Sequence, residues 1–503
     1  MKTQLMTPAA FAGTLLICLS ALSLADSAVL DENWAKRLVD VDGVSEAHVE
    51  AGEAIGVETL IIRDNKVLLH RAYGVEDIDT REELKPGAIW SVKSMTKPMV
   101  ALAVLMLVDE GKVALHEPIS TWLPDFAGDK RVTVLDLLSH KSGVAGLGSG
   151  TAGVSTLRPW VETWAARSPA GPMGKYTYSD FNYAVAALIV SERSGMPTEE
   201  FVDLRILKPL GMKDSYLTFD PSFVWADRVP SRYVKRNNGF VELWDQKEPL
   251  WYPFFAGGWG LWTTAKDYAK FLQFIMDGGS VDGTQLVNAS LIELSLTPHT
   301  QQIEGRWSYG LGWRLHGSNQ DRTGPVVFAH NGFDGTEARV YPETRTIVLL
   351  LTHSRGSLLL SQFRDELVAA PDLGAVSPIV RLVKDEYAEP DDIDAVTAAW
   401  VGEYSGTAYR QGAGQPVSMK IFKDGKNVQW TAQIQTPSGV IERSAVLLLE
   451  SPETAWQGRA RDGSPYFLFK DRKMTLSKNG RLALMAGDDL LAEVNKKTEQ
   501  NTQ

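Results

Sequence analysis

Short stretches in which hydrophobic and polar residues alternate lie near both ends of the first 370 residues and predict β-strands there. The expected strands are 57–62, 66–73, 326–329, 338–341 and 346–351, with a hairpin turn at 63–65 between the first two. Longer apolar stretches with capping residues lie mostly between them and predict helices. The expected helices are 33–54, 98–107, a short one after Thr133, 183–194, 264–276 and 358–369. This order indicates a layered α/β domain over 26–370 with an all-helical subdomain at about 116–264.

The pattern of hydrophobic and polar residues changes after residue 370. Residues 371–395 contain prolines and an acidic run, which is typical of a linker. Beyond them, Asp424-Gly425 and Asn479-Gly480 each separate two short apolar stretches, and both dipeptides are strong hairpin signals. Residues 396–495 are therefore expected to form a separate antiparallel β domain, either a sandwich or a barrel, followed by a tail at 496–503.

Length and net charge limit the number of structural units and the classes of function that this chain can have. A chain of 503 residues exceeds one typical hydrophobic core, so two or three structural units are expected. The formal net charge of −11 argues against a general nucleic-acid binder.

The first 25 residues resemble a secretory signal peptide, with Lys2, a mostly apolar stretch and small residues before a cleavage site at Ala25. The single cysteine, Cys18, lies inside this segment, so a mature chain contains no disulfide and no thiol nucleophile. We therefore expect a bacterial periplasmic or secreted protein with no stable membrane span after cleavage. An uncleaved N-terminal anchor is the alternative.

Candidate chemistry begins with Ser94-Met95-Thr96-Lys97, directly before an apolar helical stretch. A serine is a poor nucleophile until a neighbouring group takes its proton, and a lysine three residues later lies on the same helix face. Ser-x-x-Lys at a helix start is a signature of penicilloyl-serine enzymes. A capping serine followed by a solvated lysine is the simpler alternative.

Two further motifs follow in order, Tyr178-Ser179-Asp180 and His330-Asn331-Gly332. With them, the chain resembles the superfamily of serine β-lactamases and penicillin-binding proteins, and within it the branch of class C β-lactamases, D,D-carboxypeptidases and related esterases. Two connecting blocks, 137–143 and 257–267, are similar to that branch as well. The resemblance implies a β-lactamase/transpeptidase-like fold, in which helices flank an antiparallel sheet and form a helical subdomain.

The resemblance also implies roles for individual residues. Ser94 is the expected nucleophile, with Lys97 and Tyr178 as the proton-transfer groups. Two backbone N–H groups, by position those of Ser94 and Phe333, are expected to form the oxyanion hole, and Gly332 completes the third motif. Such donors are typically worth about 3 kcal/mol each to the transition state.

The second motif departs from the class C pattern, because Asp180 stands where that pattern has asparagine. A carboxylate there stabilises Lys97 as an ammonium and shifts the role of base to Tyr178, since a phenolate near a cation forms more easily than one in water. The alternatives are that Asp180 only caps the following helix, or that Asn182 supplies the missing amide.

The third motif departs as well, because His330 stands where many relatives have a lysine that supports binding of a substrate carboxylate. A mostly neutral histidine favours neutral esters or amides over penicillins. Arg339 either restores a positive charge or is a solvated strand residue. The aromatic residues at 251–262 either line an acyl pocket or belong to the core.

We therefore expect an exported serine hydrolase that acts on a small-molecule acyl substrate, an ester or a small amide, through an acyl-enzyme on Ser94. The histidines have no metal-ligand spacing, so neither a metal nor an organic cofactor is expected. A β-lactamase or D,D-carboxypeptidase is the alternative within the class, and a non-catalytic penicillin-binding sensor or interaction protein is the alternative outside it. Residues 400–404 resemble the lipocalin-like C-terminal domains of some relatives, which favours a barrel for 396–495.

Overall fold

The computed structural model describes most of the chain between residues 45 and 497. The described residues are 45–46, 48–50, 52, 54–144, 154–166, 171–236, 239–250, 254–301, 303, 307–316, 324–355, 380–382, 390–410, 413–425, 427–436, 439–461, 464–486 and 489–497. The expected signal peptide, most of the expected helix at 33–54 and the expected helix at 358–369 lie outside them.

Fifteen strands are described before residue 356. They are β1 (Gly56–Arg63), β2 (Lys66–Gly74), β3 (Trp90–Ser91), β4 (Ser215–Tyr216), β5 (Arg232–Arg236), β6 (Gly239–Trp244), β7 (Trp262–Thr263), β8 (Ser280–Val281), β9 (Thr284–Gln285), β10 (Trp307–Tyr309), β11 (Arg314–His316), β12 (Val327–Asn331), β13 (Glu337–Tyr341), β14 (Thr346–Thr352) and β15 (Ser354–Arg355). The α-helices of this region are α1 (Lys97–Asp109), α2 (Val134–Leu138), α3 (Leu157–Ala165), α4 (Asp180–Ser194), α5 (Thr198–Val202), α6 (Ala265–Met276) and α7 (Ala289–Ser295).

A seven-stranded antiparallel sheet, in the order β10-β11-β12-β13-β14-β1-β2, forms the centre of this region. This sheet joins distant parts of the chain, because β1 pairs with β14 and Ile61 lies opposite Val348. The predicted hairpin turn between β1 and β2 is present, with Asp64 and Asn65 both at positive φ. A two-residue type I′ turn requires that conformation, and Asp and Asn tolerate it better than most residues.

Helix α1 is the central helix, and it is buried from Lys97 to Leu107. Pro98 in its first turn has a backbone angle suited to a helix start, and Gly111 at φ +69° follows its end. Because the helix is apolar on all sides, it packs inside the domain rather than on its surface. It lies against α4, whose residues 181–190 are also buried.

The middle of the region is not all-helical, which corrects the prediction for 116–264. It holds the hairpin of β5 and β6, to which β15 adds in parallel, and the short strands β4 and β7, which form a small sheet with β3. Asn238-Gly239 is a hairpin signal that the sequence interpretation passed over. The capping boxes predict helix starts correctly, since Thr133 and Asp136 form the reciprocal pair and Thr264 accepts from the N–H of Asp267.

The C-terminal region begins with β16 (Val380–Leu382) and α8 (Ile393–Trp400), so ordered structure starts inside the segment predicted as a linker. The strands that follow are β17 (Gly402–Arg410), β18 (Ala413–Asp424), β19 (Asn427–Thr436), β20 (Gly439–Leu449), β21 (Thr454–Arg461), β22 (Ser464–Leu476), β23 (Arg481–Ala486) and β24 (Asp489–Lys496). Sequential antiparallel pairing, with β17 on β24 and β22 on β23, closes eight strands into a barrel. Trp400, Tyr404 and Trp430 belong to its apolar core.

No helix in the described part of the chain is both long and apolar enough to cross a membrane.

Candidate active site

Ser94 lies in a 3-10 turn, Lys93–Thr96, that continues directly into α1. This turn is anchored from the β7 side, because the N–H of Leu261 donates to the hydroxyl of Thr96 over 3.1 Å. The hydroxyl of Tyr268 donates to the carbonyl of Met95 over 2.8 Å. The serine is thus held at a rigid junction between a short sheet and the central helix, and its side chain is partly exposed.

Lys97 is fully buried, and its ammonium group donates to three acceptors. These are Ser94 Oγ at 3.0 Å, Asp180 Oδ1 at 2.5 Å and the carbonyl of Gly258 at 2.9 Å. An ammonium has three N–H donors, so all of them are used. Burial works against the charge, but the attraction of Asp180 and of Tyr178 outweighs it and raises the pKa of Lys97 above its ordinary value. At neutral pH Lys97 is therefore a hydrogen-bond donor and not a base.

Tyr178 lies beside this ammonium, with its ring centroid 4.9 Å from Lys97 Nζ. On the other side its ring packs against that of His140 at 4.4 Å between centroids. Tyr178 stands two residues before α4, and its side chain is half-buried. Ser94, Lys97 and Tyr178, from the first two motifs, thus lie around one ammonium group.

The structure separates the two residues proposed for the amide of the second motif. Asp180 faces Lys97, so it does not merely cap α4. Asn182 is fully buried below the site, where its amide bonds His140 Nδ1 at 3.0 Å and its carbonyl oxygen accepts from Ser142 at 2.6 Å. Asp180 therefore occupies the position next to the lysine, and Asn182 supports the motif from beneath.

Gly257 and Gly258, which begin the second connecting block, make the third contact to Lys97 possible, a part that the sequence interpretation did not assign to them. Gly257 has φ +71°, and a Cβ there would lie 2.3 Å from the carbonyl oxygen of Tyr183. Only glycine allows this loop to approach α4 closely enough for the carbonyl of Gly258 to reach the ammonium.

His330 is fully buried on β12, and its ring lies 6.5 Å from that of Tyr178. Its Nδ1 donates to the carbonyl of Asn331 over 2.9 Å, so its Nε2 accepts from the hydroxyl of Tyr309 over 3.0 Å. Burial, Arg314 and Lys97 all lower its pKa well below the ordinary value. His330 is therefore an uncharged supporting residue under the tyrosines.

The turn after β12 lies against the nucleophile segment. A Cβ at Gly332 would lie 2.5 Å from the carbonyl oxygen of Val92, so this glycine is required for the contact. Phe333 follows at the surface with 60% exposure, and the guanidinium of Arg355 lies 3.5 Å from its ring centroid. The segments that carry Ser94 and Phe333 are thus adjacent.

His140, from the block similar to the resembled branch, is a residue whose part the sequence interpretation missed. Its Nδ1 accepts from the N–H of Ser179 at 3.2 Å, and its ring contacts four tyrosines, among them Tyr178. Burial and the nearby Lys97 lower its pKa well below the ordinary value, so it is neutral. It fixes the backbone that carries Tyr178.

Two open alternatives are decided by burial. Arg339 is neither an active-site charge nor a solvated residue, because it is buried on β13 and bonds Glu337 at 2.8 Å. Phe255 and Trp262 are also buried and belong to the core, whereas Trp251 and Tyr252 lie outside the described residues. Within the described residues, no group of three or more His, Cys, Asp or Glu side chains is placed to hold a metal ion.

Comparison with known proteins agrees with this geometry. Residues 41–371 match the sequence profile of the Beta-lactamase family. A protein from Salmonella agona, whose name assigns it provisionally to the D-alanyl-D-alanine carboxypeptidases, is 25% identical over 63% of this chain and 82% of its own.

Two solved structures share the fold. The octameric penicillin-binding protein homologue from Pyrococcus abyssi has a TM-score of 0.58 at 20% identity, over 91% of this chain and 99% of that one. EstCE1, described as a hydrolase with promiscuous acyltransferase activity, has a TM-score of 0.57 at 19% identity, over 67% and 99% of the two chains. The predicted fold class is therefore confirmed, including the C-terminal barrel. With its family profile matched over residues 41–371 and its motifs gathered around Ser94, the chain belongs to the β-lactamase family of serine hydrolases.

Proposed function

We propose that this protein is an exported serine hydrolase that cleaves carboxylic esters or small amides through an acyl-enzyme on Ser94. The observation that carries the proposal is the arrangement around Lys97, whose ammonium donates to Ser94 Oγ while Asp180 keeps it charged. An ammonium has no lone pair, so the proton of Ser94 must go to another group. We assign this role to Tyr178, whose ring lies beside the same ammonium.

Acylation then follows from the positions of these groups. Ser94 Oγ attacks the substrate carbonyl while the phenolate of Tyr178 takes its proton. The negative charge that develops on the carbonyl oxygen is stabilised by the backbone N–H groups of Ser94 and Phe333. Tyr178 returns the proton to the leaving alcohol or amine, and in the second half a water molecule attacks the acyl group by the reverse proton path. Lys97 stays charged throughout and keeps its hydrogen bond to Ser94 Oγ.

The preference for neutral substrates rests on His330. Many β-lactamases and D,D-carboxypeptidases have a lysine at this position that supports binding of a substrate carboxylate. His330, in contrast, is neutral and buried under Tyr309. A substrate carboxylate therefore gains no charge partner from this residue. EstCE1, which shares the fold, is described as a hydrolase with promiscuous acyltransferase activity, which supports acyl transfer as the class of reaction. Export is supported by the first 25 residues of the sequence.

The test compares p-nitrophenyl butyrate and nitrocefin as substrates of the purified mature protein, with Ser94→Ala and, as a matched control, the exposed Ser222→Ala. Loss of an acyl-transfer nucleophile typically lowers turnover about a million-fold. We expect butyrate hydrolysis that Ser94→Ala abolishes and Ser222→Ala leaves unchanged, with little nitrocefin cleavage.

Other outcomes would contradict parts of the proposal. Fast nitrocefin cleavage, or release of D-alanine from a D-alanyl-D-alanine peptide, would assign the protein to the β-lactamases or carboxypeptidases. A stable covalent adduct without turnover would indicate a sensor. Hydrolysis that survives Ser94→Ala would refute the nucleophile.

A further inference from the structure

A buried charge cluster lies next to the nucleophile and has no part in the proton path above. Lys93 directly precedes Ser94, and Asp334 directly follows Phe333. Lys93 Nζ lies 3.8 Å from Asp334 Oδ2, and a guanidinium nitrogen of Arg232 lies 3.5 Å from the same oxygen. The side chains of Lys93, Arg232 and Asp334 are only 11%, 10% and 3% exposed. The cluster thus connects the two chain segments that carry the proposed oxyanion-hole donors.

The backbone around this cluster is in close contact as well. The hydroxyl of Thr336 donates to the carbonyl of Val92 over 3.4 Å, and Gly332 packs against the same carbonyl. The N–H of Gly332 donates to the carbonyl of Thr336 over 2.7 Å, which closes the turn that presents Phe333. Lys93 has φ +49°, a conformation that costs energy for a side chain other than glycine. Such strain persists only where the surroundings enforce it.

The charge balance shows why Asp334 matters. Burial and the positive charge of Arg232 lower the pKa of Lys93 to about 7, whereas Asp334 opposes this effect. Without the carboxylate, two cationic side chains would be buried next to each other, and the lysine would lose its charge or move. The shared carboxylate therefore holds both cations in place, and Arg232 is fixed further by the ring of Trp244 at 4.6 Å.

We propose that Lys93 and Asp334, with Arg232 behind them, are positioning residues that set the distance between the backbone N–H groups of Ser94 and Phe333. The inference rests on the proposed function, because it concerns the oxyanion hole of that reaction. The consequence is specific to the transition state. A shift of the segment that carries Phe333 moves its N–H group away from the developing negative charge but leaves Ser94, Lys97 and Tyr178 where they are.

The experiment uses the full mature protein with Lys93→Met, Asp334→Asn and the double variant. Lys270→Met is the matched control, because Lys270 pairs with Asp267 at 2.7 Å on α6. Active sites are titrated so that rates refer to folded enzyme only. Two quantities are compared, namely kcat and KM for p-nitrophenyl butyrate and the inhibition constant of phenylboronic acid. The boronic acid mimics the tetrahedral state when Ser94 bonds to boron.

We expect Lys93→Met and Asp334→Asn each to lower kcat about 10- to 100-fold and to change KM less than threefold. This decrease in kcat is smaller than the decrease that follows complete removal of one oxyanion-hole donor. The inhibition constant of the boronic acid should rise by the same factor as kcat falls. The double variant should lose little more than Asp334→Asn alone, since both substitutions break the contact between Lys93 and Asp334. Lys93→Arg, which keeps the cation, should recover most of the activity, and Lys270→Met should change neither quantity.

An unchanged boronic acid constant in Lys93→Met and Asp334→Asn, or losses equal to those of Lys270→Met, would overturn the positioning role. If Lys93→Met yields no folded protein, Asp334→Asn decides the question, because asparagine keeps the shape of aspartate. Failure of the proposed function gives a different result: the Ser94→Ala variant then hydrolyses p-nitrophenyl butyrate as fast as the wild type.

Discussion

The Lys97–Asp180 pair determines which group acts as the base, and Asp180→Asn tests it by restoring the asparagine of the class C pattern. The variant keeps the size and a hydrogen-bond acceptor beside Lys97, and it removes only the negative charge. Lys97 is fully buried and Asp180 is 28% exposed, with 2.5 Å between Nζ and Oδ1. The pair is therefore shielded from solvent on the lysine side.

The expected loss of stability follows from this burial. Removing one partner of a buried ion pair costs about 3–5 kcal/mol, because an uncompensated charge stays behind. The partial exposure of Asp180 and the remaining acceptor place Asp180→Asn near the lower end, about 3 kcal/mol at pH 7. An exposed pair makes a suitable control. Asp203→Asn breaks the contact between Asp203 and Lys208, whose side chains are 42% and 63% exposed, respectively. Such exposed pairs contribute about 0–1 kcal/mol to stability.

The pH dependence separates lost charge pairing from general damage. In the wild type the pKa of Lys97 lies above its ordinary value, so the stabilisation is present up to about pH 10 and is lost only above it. In Asp180→Asn burial dominates, so the pKa of Lys97 falls below the unfolded value. The folded variant then binds fewer protons than its unfolded chain, and its stability rises with pH.

Urea unfolding followed by circular dichroism at pH 7, 8.5 and 10 measures both effects. The difference between Asp180→Asn and the wild type should shrink as the pH rises, by at most about 1.4 kcal/mol per pH unit. Asp203→Asn should show no such trend. A loss below about 1 kcal/mol at pH 7, or a constant difference up to pH 10, would refute the conclusion that Asp180 holds Lys97 as an ammonium.

Three further predictions concern neighbouring positions. His330→Lys should destabilise the protein by about 3 kcal/mol or more, because it buries a cation near Arg314; a thermal shift measures this, and a stable variant that gains nitrocefin cleavage would contradict it. Gly257→Ala should lower kcat at least 10-fold, because its methyl group meets the carbonyl of Tyr183; unchanged kinetics would refute the need for that loop. Burial lowers the pKa of His353 to about 3, so it opposes folding increasingly as the pH falls below about 6.5. His353→Phe should therefore flatten the loss of unfolding free energy between pH 6 and 4 by about 1.4 kcal/mol per unit, and equal slopes would contradict this.

The sequence alone determined the features whose causes are local. Ser94 and Lys97 are three residues apart before an apolar helix, so they had to share one face. Asp64-Asn65 and Asn479-Gly480 predicted turns because few residues accept positive φ. The family motifs were continuous as well, so the family could be recognised before any contact was known.

The tertiary structure decided what depends on distant residues and on burial. Asp180 and Gly258 reach Lys97 from 83 and 161 positions away, and no spacing rule connects them. Whether Asp180 or Asn182 faced the lysine depended on which side of α4 turned inward. The neutral state of His330 follows from complete burial beside Tyr309 and from nearby positive charges, which a strand pattern does not reveal. The local sequence determines which chemical groups are present, and packing determines their charge states. The reason is that the free energy of a charged side chain depends on its surroundings.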